Sequence, residues 1–490
     1  MTKEFMQTYQ IYLTPLSPIH IGCGEDFEPT NYVIDKNVLY YFDPSKLILS
    51  DEEKKELKSI YSDFKEIHNF FYNIKSKVKS VAHYFSDVSS CVEERYRKKI
   101  KNNNAKLYIE RAAYLPYLSK VYIPGSSVKG ALATAILDFE YKNNPLALIN
   151  IEIEAQSEYL RDQYIGTLKK KNDKNQENAS KLHYVRFSDL TPIDRIKNKI
   201  TLVVNFEKYE EDKGSLDLFR EVIAEKQYRS FTGSLTLTTT PKYTLPYTKD
   251  DLISRLNKYY KVCFCKESEI LLKRKLVSEE WIENIKNLID DNHVALIRLG
   301  KNGSDSKTYQ DKNITQITTK ESEENDEVVL PEATTVWLAS DDKDKYLPFG
   351  WALLEFSPEQ ENYDLLSYCD KKRAEIELRK QKQMIEEQQR LAEAKAKEEW
   401  LSSLSVEKRL VFEFLDKLEN TREKQIDTSG SPLLKEAQSL LSAAVEWPQE
   451  EQAFIKEKIT FSLLKTKIDF KKKDAEKNFK KLVNKLVGTN

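Results

Sequence analysis

Residues 121–137, VYIPGSSVKGALATAIL, set two glycines, two serines and a lysine between a β-branched run and an apolar run. The Pro-Gly pair reads as a turn and 131–137 as a buried helix, so the polar residues fall at a strand–turn–helix junction. That junction suits an anion. Ser126 or Ser127 is expected to cap the helix, Gly125 permits tight backbone geometry, and Gly130 leaves the first turn uncovered. Free amides and the helix dipole then favour negative charge, with Lys129 beside them. An ordinary capped helix after a turn would use the same residues. The Gly125 to Gly130 spacing matches the start of a nucleotide-hydrolase phosphate loop. That loop needs Lys and then Ser or Thr directly after its second glycine, where Ala131 and Leu132 stand, so a nucleotide hydrolase is disfavoured.

Two further glycine loops carry polar chemistry. The first holds His20, Gly22, Gly24 and Glu25. A dinucleotide fingerprint fails there, because Phe27 takes the third glycine position and no helix pattern opens. The second holds Arg298, Gly300, Lys301, Gly303 and Lys307 after an apolar strand. Its cations among small residues suit a phosphate backbone, and a flexible hairpin has the same composition. Of five histidines (His20, His68, His83, His183 and His293), only His20 borders a glycine loop. It is the candidate general base if the chain cuts RNA at a 2′-hydroxyl. A strand-end histidine is more often structural. Glu25, Asp26 and Asp189 lie in or beside strand-end turns, but their spacing specifies no metal-ligand set, so neither metal nor cofactor is expected. Cys23, Cys91, Cys263, Cys265 and Cys369 form no disulfide framework. The Cys263-x-Cys265 pair reads as strand filling rather than half a zinc site.

The elements that position these loops read as follows. Residues 6–22 form a strand that bends at Pro15 and Pro18. Residues 31–43 form a hairpin around Asp35, Lys36 and Asn37. Residues 51–105 are charged and mainly helical. After a polar linker at 166–182, strands are expected in LHYVRFSDL, KITLVVNFE, SFTGSLTLTTT, HVALIRLG, TVWLAS and FGWALLEF, with helices in DDLISRLNKYY and EEWIENIKNLI. Strands and helices alternate in two blocks, which suggests two α+β domains of similar kind. From Tyr363 the pattern becomes a long charged helix, read as a solvated single helix, then shorter helices capped by Ser405 and by Ser431 with Pro432. The lysine-rich C-terminus reads as a basic amphipathic helix pair. Across 490 residues, 78 Lys and Arg balance 79 Asp and Glu, so net charge gives no case for nucleic acid or membrane. No stretch approaches a membrane span and the N-terminus lacks a signal-peptide core, so a soluble, reduced, cytoplasmic protein is expected.

TPLSPIHIGCGEDFEPTNYVID, YIERAAYLPYLSKVYIPGSSVKGALATA, RLGKNGSDSKT and LPFGWALLEF occur in this order. Together they resemble the RAMP superfamily of type III CRISPR effector complexes. The I-P-G-S-S-x-K-G-A-L core carries the superfamily likeness. The H-I-G-x-G and Y-V-I-D segments favour the fifth subunit of the type III-A (Csm) complex. The resemblance runs in patches over 6–357 and omits the helical tail. It implies an α+β fold of two tandem ferredoxin-like (RRM-type, RAMP) domains with a C-terminal all-helical extension. The expected boundaries are 1–182, with a helical insertion at about 51–105, then 183–360, then 361–490. It implies a non-catalytic subunit that binds crRNA, caps the 3′-end side of the complex beside the last backbone subunit, and supports crRNA 3′ trimming by host nucleases. The implied RNA contacts are His20, Gly22, Gly24, Gly125, Ser126, Ser127, Lys129, Gly130, Arg298, Gly300, Lys301, Gly303 and Lys307. Ala133 stands where many relatives carry a basic residue, which removes one phosphate contact. The alternatives are a crRNA-processing RAMP endoribonuclease and a different RAMP subunit, either a Cmr-type end cap or a backbone subunit.

Overall fold

The computed structural model describes residues 5–486 apart from 102–106, 149–150, 167–179, 210–217, 240–246, 291–292, 321–326, 343–344, 422–423, 428–430 and 472–473. The chain divides into two compact units, Met1–Glu375 and Ile376–Asn490.

Two sheets organise the first unit. The central strand of the first sheet is Met6–Pro15, whose Ile11 and Leu13 are fully buried. It pairs antiparallel with Phe231–Thr238 on one side and Trp351–Phe356 on the other. Val294–Arg298 lies beyond Trp351–Phe356, and Thr191–Pro192 and Val185–Phe187 lie beyond Phe231–Thr238. VALIR and WALLEF are buried at every position, which explains why both read as unbroken apolar runs. Helices Gly125–Asn143 and Lys249–Lys273 pack on each other, tied by Arg255 to Glu140 at 2.7 Å and by the Tyr260 hydroxyl donating to the Ala131 carbonyl.

The second sheet runs Gly22–Phe27, Ile109–Ala112, Leu218–Ile223, Asn198–Glu207, Tyr84–Val88, Val38–Tyr41, Tyr32–Asp35. Asn198–Glu207 is long enough to serve two partners along one edge. Lys199 and Ile200 pair parallel with Asp87 and Val88, while Leu202 to Glu207 pair antiparallel with Thr335–Asp342. The expected hairpin is present as Tyr32–Asp35 and Val38–Tyr41, and Lys36 and Asn37 take the positive φ values a two-residue turn requires.

Two expectations need correction. The sheets do not separate at residue 182. Met6–Pro15 sits at the centre of a sheet whose other strands all follow residue 182, and the second sheet mixes strands from both sides. Strand pairing is non-local, so sequence blocks do not define sheets. The segment 51–105 is mainly helical as expected, with helices Asp51–Ser59, Phe64–Asn73, Lys75–Val81 and Ser90–Lys101, and the strand Tyr84–Val88 interrupts it. Cys263 and Cys265 lie on a 25-residue helix, not a strand. Leu252, Leu256, Tyr259, Tyr260, Cys263, Phe264 and Leu271 are buried at helical spacing, and that pattern outweighs the β-leaning composition. Leu218–Ile223 was not foreseen. Most of the expected linker, 167–179, lies outside the described residues.

The second unit is all helical apart from one two-residue strand pair among its described residues. Ser405 and Ser431 cap Val406–Asn420 and Pro432–Ala443 as expected, accepting from the Lys408 and Leu434 amides. Val411, Phe414, Ala437, Leu441 and Ile455 form its own core. The long charged helix is Lys371–Ser402.

Candidate nucleic-acid interface

The glycine-motif helix begins differently from the expected serine cap. Its N-cap is Pro124, which offers no side-chain acceptor, and neither serine caps it. Asp189 does so from across the fold: its carboxylate accepts from the Gly125 amide at 2.8 Å. A backbone bridge between Ile123 and Leu190 fixes that carboxylate in place. Gly125 is buried, and a Cβ there would lie 2.5 Å from the Ser188 carbonyl oxygen. Its role is close packing. Gly130 is the opposite case. It is exposed, and a Cβ there would meet nothing within 4 Å. The fold does not require a glycine at that point, so the uncovered backbone is free for a ligand.

The exposed side of this helix forms the floor of two hollows that share Arg161. The first, about 340 Å³, is lined by Ser126, Lys129, Gly130, Ala133, Arg161 and His183 among others. The second, about 290 Å³, is lined by Thr134, Leu137, Glu158, Arg161, Lys307 and Tyr309 among others. Together they make one groove over small residues, about 16 Å long from Ser126 to Leu137 at the usual helical rise. Lys129, Arg161, Arg186 and Lys307 have no ion-pair partner among the described residues. Burial, with the Arg186 charge, holds the Lys129 ammonium below its usual range. Desolvation, with Arg298 and Lys301, does the same to Lys307. Cations held close together are an electrostatic cost that a bound polyanion would relieve.

The two other glycine loops meet at His20. Gly300, at φ +82°, packs so tightly on the His20 carbonyl that a Cβ would lie 2.0 Å from its oxygen, and the Lys301 amide donates to the same carbonyl at 2.9 Å. His20 is fully buried. Its Nδ1 donates to the Glu221 carbonyl at 2.7 Å, and its Nε2 lies 3.3 Å from Glu110. Glu110 also accepts from Arg220 and, at 2.8 Å, from Lys301. The neighbouring His20 ring, with hydrogen bonds from Arg220 and Lys301, holds the Glu110 carboxyl well below the usual carboxylate range. Gly22 lies against His20 and Lys301, whereas Gly24 is exposed with open space around it.

Arg298 needs correction as a surface contact. It is 7% exposed, donates to the Phe349 carbonyl, pairs with Glu267 at 2.8 Å and stacks over Trp351. Gly303 packs against that guanidinium. Both are internal struts that hold the loop carrying Lys301 and Lys307. Ser127 does not line the groove, while Ser126, Lys129, Gly130 and Lys307 do. Sequence reasoning missed Arg161 and Arg186. Each lies far from the glycine motif along the chain, and tertiary packing brings Arg161 into the groove lining and the Arg186 charge near Lys129.

A sequence profile of the RAMP superfamily matches residues 12–304, more than half of the chain. Over 159 residues the chain is 30% identical to the CRISPR system protein Csm5 of Methanocaldococcus jannaschii, covering 29% of this chain and 34% of that protein. The chain thus spans about a third of that relative's length. Its fold is similar to a chain in the cryo-EM structure of a type III-A Csm–crRNA–target RNA ternary complex, with a TM-score of 0.50 at 17% identity over 71% of this chain and all of that one. T. onnurineus Csm5 aligns with a TM-score of 0.46 at 13% identity over 70% of this chain and 99% of that one. With the profile running through both sheets, the chain belongs to the RAMP superfamily, and over 159 residues it is similar to Csm5.

Proposed function

We propose that this chain is the crRNA-binding subunit that closes the 3′-end side of a type III-A Csm complex. In this reading it docks on the adjacent backbone subunit, supports assembly and antiviral defence, and leaves trimming of the guide to host nucleases. The tandem ferredoxin-like description then applies to the two sheets with their helices rather than to two sequence blocks. One observation carries the reading: Lys129, Arg161 and Lys307, with no ion-pair partner among the described residues, line a groove at the point where Gly130 leaves helix backbone uncovered, and the Arg186 charge lies near Lys129. Such a groove grips phosphates without reading bases, as a carrier of variable guides must. Lys129, Arg161, Arg186 and Lys307 supply the charge, and Ser126 and Gly130 the close approach. Lys301, bound to Glu110, borders it.

The burial of His20 supports a binding role over cleavage. A 2′-hydroxyl would have to displace Glu110 or the Glu221 carbonyl to reach either ring nitrogen. Removing a single phosphate contact should weaken binding and flatten its salt dependence. For Lys129→Glu we expect lower affinity for a guide-length RNA and a log–log salt slope shallower by roughly one or two, as the charge reversal disturbs one or two phosphate contacts. An unchanged slope rejects the groove as the RNA path. Purification of the complex should return one copy of this chain with guide RNA. Several copies along the RNA would favour a backbone subunit.

A further inference from the structure

Three residues, Tyr122 to Pro124, join the groove helix to a small hairpin that precedes it. Tyr114–Leu115 pairs antiparallel with Lys120–Val121, and the Leu118 amide closes the turn on the Leu115 carbonyl at 3.1 Å. Ser119 takes φ +49°, so the turn holds one defined, left-handed conformation. The base of the hairpin is fixed. The Arg111 guanidinium lies 3.5 Å from the centre of the Tyr114 ring, and the Tyr114 hydroxyl donates to Glu25 at 2.8 Å. The Ala113 amide donates to the Ile21 carbonyl at 2.7 Å, which ties the hairpin to the first glycine loop. Its tip is the reverse. Tyr117 is 102% exposed and Leu118 62%, so the fold uses neither side chain for packing. Lys120 is exposed beside them with no ion-pair partner among the described residues, and residues 114–121 hold no carboxylate.

A ring held out in water on a rigid support, next to an uncompensated cation, has the chemistry of a base-stacking contact. Every nucleobase offers a π-face to the ring, and the cation suits the adjoining phosphate. The place in the fold agrees. A strand that follows the groove to Ser126 leaves the helix at its N-terminus, where the hairpin is attached. Tyr117 is nine residues from Ser126, so the tip lies at most about 32 Å from that end of the groove. We propose that this hairpin is a stacking clamp for single-stranded RNA, in which the Tyr117 ring takes the face of one nucleobase, Leu118 adds apolar contact and Lys120 meets a neighbouring phosphate. Stacking accepts any base, as a carrier of variable guides requires. The proposal rests on the RNA-groove reading and adds a contact to the bases, which a groove that grips phosphates does not make.

The test titrates the full chain with a guide-length RNA over a series of salt concentrations. Tyr117→Ala should weaken binding roughly tenfold, within the range of one lost base–aromatic stack. Its salt slope should match the parent's, because no phosphate contact is lost, whereas Lys129→Glu makes the slope shallower. Tyr117→Trp, which keeps a stacking ring, should bind within about twofold of the parent. Single abasic substitutions along the RNA should locate the contact: one position should cost the parent chain roughly tenfold and cost Tyr117→Ala almost nothing. Parent-like binding by Tyr117→Ala, with Lys129→Glu still impaired, overturns the clamp and leaves the groove standing. If that same variant binds RNA normally but no longer joins complexes, the tip meets a protein and the clamp is again overturned. A loss that comes with a shallower slope overturns stacking as its cause. No RNA binding by the parent chain fails the groove reading itself.

Discussion

At the scale of single residues, the two glycines of the motif do different work, although they read alike in sequence. A Cβ at Gly125 would lie 2.5 and 2.6 Å from two carbonyl oxygens, so any side chain there forces the helix off the Val185–Phe187 strand and its turn. Gly130 faces open space in a helix interior, where alanine is intrinsically favoured by about 1 kcal/mol. We expect Gly125→Ala to destabilise the first unit by about 2 kcal/mol or more, the range of a steric clash in a packed site. Gly130→Ala should leave the melting temperature unchanged or raised, and Gly130→Gln should weaken RNA binding without loss of stability. Thermal denaturation beside RNA titration separates the two. If Gly130→Gln binds RNA like the parent chain, the uncovered backbone is not a contact. Ser126 and Lys129 were legible as groove residues because they sit within the motif. Arg161 and Arg186 were not, because nothing in their local sequence differs from a solvated arginine.

At the scale of elements, the sequence revealed what periodicity encodes and hid what non-local pairing decides. The hairpin at Lys36 and Asn37, the apolar strands and the caps at Ser405 and Ser431 follow from local rules. The Asp189 cap, the strand Tyr84–Val88 within a helical stretch and the strand order of both sheets do not. Helix Phe64–Asn73 shows how such a stretch is tied in. His68 is fully buried, its Nδ1 donates to the Pro29 carbonyl at 2.7 Å, and its Nε2 accepts from the Tyr96 hydroxyl on helix Ser90–Lys101. Burial pushes the His68 imidazole down to about 4. The unfolded chain, with an ordinary histidine near 6.5, then binds a proton that the folded chain refuses. Stability from this group is fully present above about pH 6.5 and is lost as pH falls towards 4, by about 3 kcal/mol in all. Denaturant midpoints at pH 7.5 and pH 5 should differ in that direction. His68→Gln should lower the midpoint at pH 7.5 but shrink the difference. A difference of unchanged size in that variant would assign the acid sensitivity to other groups.

At the scale of the whole molecule, a net charge of −1 gives no long-range pull on RNA, so affinity must come from cations gathered locally. Both candidate places are lysine-rich, but they differ in how those cations are used. In the first unit Lys129, Arg161 and Lys307, which line the groove, have no ion-pair partner among the described residues. In the second unit, Lys467 donates to the Thr421 carbonyl at 2.7 Å, and Lys471 and Lys480 pair with Asp469 and Glu476. Cations already paired release fewer counterions and add less to the salt-dependent term. The second unit also has its own core around Phe414 and Leu441. We therefore expect a chain ending at Glu375 to fold with an intact circular-dichroism spectrum and to bind guide RNA with the same salt slope as the full chain. Its affinity should fall within about twofold of the parent value, the range of surface-charge effects. If the shortened chain is folded but its slope drops by roughly two or more, phosphates are held outside the groove and the helical unit is an RNA arm. If slope and affinity stand while complexes fail to assemble, the helical unit is the surface that meets another protein.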